Sequence, residues 1–378
     1  MPNHRLSLLP VLVLVLAYFA LPLRAHEILP TVANLEFDRD AGLYRMDIEL
    51  NLEALIAEVE PELADTNDSV NVVRYDSLRG MTPQELSAEF EGFRQTFLDG
   101  LNIRIDNQLN IPSIENVIIP DVGNFELPRV SVLELTGTLP DGAETYQWQW
   151  IEDFGTISLR ADNPSSRESY VALLDPGDAS AVLEIDNLRS RSAVEITLDY
   201  IRIGFVHILP KGIDHILFVV GIFLLSPLWR PILWQVTAFT LAHTTTLGLG
   251  AAGYITVPAS IVEPLIAASI CYVAIENIWR PTLSTWRPFI VFGFGLLHGL
   301  GFAGILYEIG IPEDQFLLSL LAFNVGVELG QLTVIAICFG LVGIWFGKKE
   351  WYRRVITIPA SAAIAVVGAY WVVERTLL

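Results

Sequence analysis

Residues 315–346 read QFLLSLLAFNVGVELGQLTVIAICFGLVGIWF, with Glu328 as the only charged side chain. A bilayer core about 30 Å thick is crossed by about 20 mostly apolar residues in helix. This stretch meets that length and exceeds it. Five more such runs surround it, near 211–229, 231–253, 258–279, 288–308 and 355–374. The first is short and the fifth is long. Residues 206–378 therefore read as an all-α bundle of six transmembrane helices.

The gaps between the runs give an orientation. Arg230 follows the first run, Arg280 and Arg287 the third, and Lys348, Lys349, Arg353 and Arg354 the fifth. The even-numbered gaps, 254–258 and 309–314, hold no base, and the tail holds only Arg375. By the positive-inside rule the odd gaps face the cytoplasm. The segment before the first run and the carboxyl end then lie outside. Trp229, Trp234, Trp279, Trp286, Trp345 and Trp351 fall near the expected interfaces, as an aromatic belt does.

The front half is different in kind. Residues 26–205 hold 34 acids and 12 arginines with no lysine, while 206–378 hold nine acids and nine bases. Charged residues are only 17% of the 378-residue chain, against about 25% in a soluble domain. A wholly soluble or disordered protein is excluded, and the acidic surface argues against nucleic acid. Short strand-like segments recur at Tyr44–Leu50, Val130–Leu135, Tyr146–Trp150, Thr156–Arg160, Val182–Ile185 and Val194–Leu198. Turn clusters such as Pro140-Asp141-Gly142 separate them. They suggest a mostly β, sandwich-like domain over 26–205. One helix interrupts it. Thr82 is its N-cap, Pro83 its first residue and Glu85 the capping-box acid, followed by the apolar face Leu86, Phe90, Phe93, Phe97 and Leu98. Cys271 and Cys338 both lie in the apolar half, so the polar half holds no disulfide.

Residues 1–25 read as a signal peptide: His4 and Arg5, an apolar run from Leu6 to Leu23, and cleavage after Ala25. Leu23 is large for its place before the cleavage site, and an uncleaved anchor helix is the alternative. With cleavage, His26 becomes the first residue, outside the cytoplasm. Its α-amino group and ring then offer two nitrogens to Cu²⁺ or Ni²⁺; an idle, exposed first residue is the plainer reading.

Ionisable groups in hydrocarbon are costly and mark sites or pathways. The apolar half offers Asp214, His215, His243, Glu263, Glu276, His298 and Glu328, with His207 just before the first run. Asn324, Glu328 and Gln331 share one helical face. A single intramembrane histidine is as readily an interhelical hydrogen bond. Three histidines and several carboxylates together suit a first-row divalent cation, and equally a proton relay. Gly293, Gly295, Gly299, Gly301 and Gly304 surround His298, and Gly326 and Gly330 have the GxxxG spacing of close helix contacts. The two cysteines read as small apolar fillers.

The run His207-Ile-Leu-Pro-Lys-Gly-Ile-Asp214-His215-Ile-Leu-Phe resembles the first-helix signature of the HupE/UreJ family of nickel-permease-like membrane proteins. Phe239-Thr-Leu-Ala-His243, Ala274-Ile-Glu276-Asn277, Gly295-Leu-Leu-His298-Gly and Phe323-Asn324-Val-Gly-Val-Glu328-Leu-Gly-Gln331 are similar to further family segments. The large outer domain, and Leu217-Phe218 in place of the usual Ala-Met, set it with a longer branch. The resemblance implies nickel or cobalt uptake, with His207, Asp214, His215, His243 and His298 as the cation contacts.

The expectation is a bacterial inner-membrane permease for a divalent transition metal, not an enzyme. The metal, nickel or cobalt, is its substrate, and no cofactor is tightly bound. Asp214 and His215 accept the ion, His243 and His298 hold it near the midplane, and Glu328, Asn324 and Gln331 pass it on. Glu276 lies near the inner end. The alternative is a membrane-anchored protein that binds metal for periplasmic metal-handling partners without translocating it. No Walker A run is present. Ligand exchange needs neutral imidazoles, so uptake is expected to weaken below about pH 6.

Overall fold

The computed structural model describes residues 30–377, apart from 62, 64–65, 67–68, 124, 126–127, 163–168, 189–190 and 310–314. The signal-peptide reading and His26 lie outside the described residues. The chain divides into a polar and a helical unit, with the main break between Ser192 and Ala193 and the short segment Glu308–Phe316 grouped with the polar unit.

The polar unit is rich in strand. Strands β1 (Thr31–Asp38), β2 (Leu43–Asn51), β5 (Ser113–Ile118), β6 (Val130–Thr138), β8 (Ile157–Asp162) and β9 (Ser169–Leu174) form one sheet, in the order β5-β6-β2-β1-β8-β9. All its pairings are antiparallel except β1 with β8. The short strands β3 (Arg104–Ile105), β4 (Gln108–Leu109), β7 (Thr145–Gln147) and β10 (Leu183–Glu184) form a second sheet, in the order β10-β7-β3-β4. Period-two alternation drives this arrangement. In β2, Tyr44, Met46, Ile48 and Leu50 are buried, while Arg45, Asp47 and Glu49 face solvent. Both sheets contribute to one core, where Tyr44 and Met46 join Tyr146 and Trp148.

Helices α1 (Leu52–Ala57), α2 (Val72–Arg79) and α3 (Pro83–Asp99) belong to the same unit. The capping box of α3 is formed as its sequence requires. The Glu85 amide donates to Thr82 Oγ1, and the Thr82 amide donates to the Glu85 carboxylate at 2.8 Å. These bonds hold the Glu85 carboxyl below its usual range. Leu86, Phe90 and Phe97 are buried beneath it. Thr82→Ala is expected to cost about 1 kcal/mol locally. Hydrogen exchange at the Glu85 amide checks this, with a rise of about fivefold expected.

The helical unit contains α4 (Ala193–Ile208), α5 (Ile213–Leu225), α6 (Trp229–Ala251), α7 (Ala259–Trp279), α8 (Arg287–Ile309), α9 (Phe316–Cys338) and α10 (Ile358–Leu377). A π-helical turn, Phe339–Gly343, carries α9 on to Phe346, and another, Arg353–Thr357, leads into α10. Two readings are corrected here. Val194–Leu198 is not a strand but the start of α4. Its buried residues Ile196, Tyr200, Gly204 and Ile208 recur every fourth position, a helical period that a five-residue window does not reveal. The first span is not one helix over 211–229. Helix α5 has 13 residues, about 20 Å at 1.5 Å each, too short to cross. It reaches spanning length only together with α4, from which it bends by 71°.

Among the described residues, four helices are long and apolar enough to cross a membrane: Ala259–Trp279, Arg287–Gly304, Phe316–Phe346 and Arg353–Thr376. The bent pair makes up to five. Helix α6 has the length, at 23 residues. It falls short in apolarity, because Gln235, His243 and five threonines lie along it. The GxxxG pair on α9 packs on α4. A Cβ at Gly326 would overlap the Ile201 carbonyl oxygen, one at Gly330 would press on Ile208, and one at Gly204 would overlap the Phe323 carbonyl.

Candidate metal centre

Helices α4, α5, α6 and α8 each bring one histidine to a common place. His207 ends α4, His215 lies in the first turn of α5, and His243 and His298 sit well inside α6 and α8. Ligand atoms of His207, His215 and His243 all lie within 4.8 Å of one another. The His298 ring adjoins that of His215, with centroids 4.9 Å apart. His215, His243 and His298 are buried.

The hydrogen bonds around the rings fix which nitrogen is left over. His215 Nδ1 lies 3.0 Å from the Asp214 carboxylate, which only accepts. His298 Nδ1 lies 2.9 Å from the Phe294 carbonyl oxygen, also an acceptor. His243 Nδ1 lies 3.2 Å from Asn324 Oδ1, and Asn324 Nδ2 is already used on the Leu320 carbonyl. In each place a ring in its neutral form donates from Nδ1 to the acceptor it faces, which leaves the lone pair on Nε2. All four described histidines keep Nε2 buried with no hydrogen-bond partner. Leaving four such atoms unpaired in a core is expensive. Metal-binding imidazoles have this arrangement, with the second nitrogen held by a carboxylate or carbonyl.

The walls are aromatic. Phe302 and Phe323 lie against His207 at 4.1 and 5.7 Å between centroids, and Phe239 lies 4.9 Å from His298. Phe218 lies 5.3 Å from His298. Glycines let the helices close on this space. A Cβ at Gly299 would overlap the His243 carbonyl oxygen, and one at Gly295 would press on the Phe239 backbone.

The other expected contacts are placed differently. Asp214 holds the His215 ring through Oδ1, and Asn324 holds the His243 ring. Glu328 and Gln331 meet at the Thr240 hydroxyl, one turn of α6 from His243, and Glu328 also accepts from Thr237. Glu276 is ion-paired with Arg287 at 3.0 Å, in a polar cluster with Gln235 and Asn277. Its carboxylate is committed there rather than to the imidazoles. Arg287 is not solvent-facing: it is 1% exposed. The signal for it was the polar series Gln235, Glu276 and Asn277, which needed a cationic partner. Cys271 and Cys338 are free thiols outside the cluster.

A family model described as HupE / UreJ protein matches residues 184–375, half of the chain. The chain belongs to the HupE/UreJ family. With its apolar helices, this makes it a multi-pass membrane protein. No curated protein and no solved structure matches the chain. The HupE/UreJ match starts before α4 and takes in all four helices that carry the histidines.

Proposed function

We propose that this HupE/UreJ protein is an inner-membrane permease for a divalent transition metal of the nickel or cobalt type. The observation that carries the reading is the meeting of three histidines with ligand nitrogens within 4.8 Å of one another, a fourth ring beside His215, and a buried, unpartnered Nε2 on each of the four. Imidazole donors with no carboxylate among them favour first-row transition metals over Mg²⁺ and Ca²⁺, which take oxygen. Nitrogens binding one ion at about 2 Å lie about 3.3 Å apart, so His207, His215 and His243 close modestly around it. His298 offers a further nitrogen beside His215 for ligand exchange. Conduction requires such neighbouring sites, each weak enough to release the ion. In this reading the chain crosses six times, counting α4 with α5 as one and including α6, and the positive-inside rule assigns the polar unit and the carboxyl end to the outside.

Ion flux into proteoliposomes tests the activity, with nickel, cobalt, zinc and copper compared. Flux above that of empty vesicles for nickel or cobalt supports it. Binding without flux for every ion would replace it with the membrane-anchored binding protein. Orientation has its own test. A reporter active only outside the cytoplasm is expected to work when fused after Gly310 or Leu378 and to fail after Lys349. Activity at Lys349 would break the six-crossing arrangement.

A further inference from the structure

At the end of the helical unit where α9 runs out, the chain forms an open cleft of about 600 Å³. Leu225, Pro227, Phe339 and Ile344 make an apolar side, and Lys348, Lys349 and Arg353, with the single acid Glu350 among them, make a net basic one. Lys348 and Lys349 are two of the three lysines in the chain. Residues 348–354 hold four bases against one acid, Glu350, in a protein whose net charge is −20. Both lysines are exposed and form no ion pair with the described residues. Arg353 is anchored by bonds of 2.8 Å to the Asn277 and Ile278 carbonyls, which fixes one charge in place.

The backbone makes room for an occupant. The π-helical turns Phe339–Gly343 and Arg353–Thr357 both contribute residues to the cleft. Such turns often mark functional sites. Gly343 and Gly347 line it without a side chain. Its depth in the membrane follows from the sequence: Lys348 comes two residues after the apolar helix Phe316–Phe346 ends. Trp345 and Trp351, 65% and 41% exposed, flank it as interface anchors.

We propose that this cleft binds one anionic phospholipid. The phosphodiester lies between Lys348, Lys349 and Arg353, and an acyl chain lies along Phe339 and Ile344. Basic pockets between helices at the membrane surface take headgroups in this way. A zwitterionic lipid offers the same chains but brings a cation to the bases. The proposal rests on the membrane-spanning helices and not on the metal reading, so either stands without the other.

The test uses the full-length protein, released from nanodiscs containing equal phosphatidylglycerol and phosphatidylcholine and examined by native mass spectrometry. One phosphatidylglycerol per chain is the expected result. Neutralising both lysines (K348Q/K349Q) is expected to lower its retention about 30-fold, since each base near the surface contributes about a factor of five. K348R/K349R is expected to retain it, which separates lost charge from lost fold. Metal binding is expected to be unchanged in both. Equal retention of phosphatidylcholine, undiminished retention in K348Q/K349Q, or displacement of the lipid by millimolar inorganic phosphate would each overturn the proposal.

Discussion

Replacing His243 by alanine is expected to bring nickel or cobalt flux down to the level of empty vesicles. The ring is fully buried and supplies one of three nitrogens within 4.8 Å of one another. Its Nε2 has no other partner to serve. Losing an outer partner of a metal ligand already costs about 10- to 100-fold in affinity. Losing the ligand itself is expected to cost about 100-fold or more. His243→Gln is the sharper variant. It fills much of the volume and keeps an amide donor, but it lacks the imidazole, so it is expected to fail as His243→Ala does. Asn324→Ala leaves the ring in place and removes the acceptor that sets its tautomer. It is expected to lower apparent affinity by about 10- to 100-fold with the maximal rate less affected. Expression of all three is expected to stay near that of the unmodified protein. Full flux in His243→Gln would mean that His243 is only an interhelical hydrogen bond.

The residues of this centre could be read from the sequence because hydrocarbon penalises them. His215, His243 and His298 stand out in apolar runs, where an ionisable ring is costly. Their roles could not be separated in the same way. Asp214 and Asn324 stand beside the histidines in the sequence as further candidate contacts, and in the fold Asp214 Oδ1 and Asn324 Oδ1 each face a histidine Nδ1. Spacing along one helix shows which face a side chain shares, not which atom meets it from another helix. Glu276 shows the same limit, because its partner Arg287 sits across a loop, at the start of the next helix.

Local signals were legible where one element carried the whole message. The capping box of α3 and the alternation of β2 need no partner to be recognised. Strand β9, SYVALL, hides its alternation because residues on both faces are apolar. Helix α4 was missed for a related reason. It begins among charged residues, ends among apolar ones, and crosses the boundary between the acidic and the apolar half. The GxxxG pair of α9 was legible, but its partner helix was not, since Gly204 alone gives no motif.

Gly299→Ala is expected to damage the centre without touching a ligand, and the glycines of α8 supply their own control. Five glycines surround His298 in the sequence and look equivalent there. In the fold they are not. At Gly293 and Gly304 an added Cβ meets nothing within 4 Å. At Gly301 it meets only the Ile266 and Val262 side chains, which can give way. At Gly299 it would overlap the His243 carbonyl oxygen and Thr246 Oγ1, so backbone must move. Helix α8 has to withdraw from α6 there, one residue from His298. The Thr246 bond to the Leu296 carbonyl, 2.8 Å long, links the same two helices and would stretch with it. A ligand set held from several helices tolerates little displacement, about 0.5 Å in well-organised sites. Metal affinity is therefore expected to fall about 10- to 100-fold in Gly299→Ala, with helicity by circular dichroism retained. Gly293→Ala and Gly304→Ala are expected to bind as the unmodified protein does, and to gain slightly in stability from the helix preference of alanine. Binding titrations on the three purified variants decide the matter. Equal affinity in all three would show that α8 does not set the geometry of the histidines, and His298 would then have no part in holding the ion.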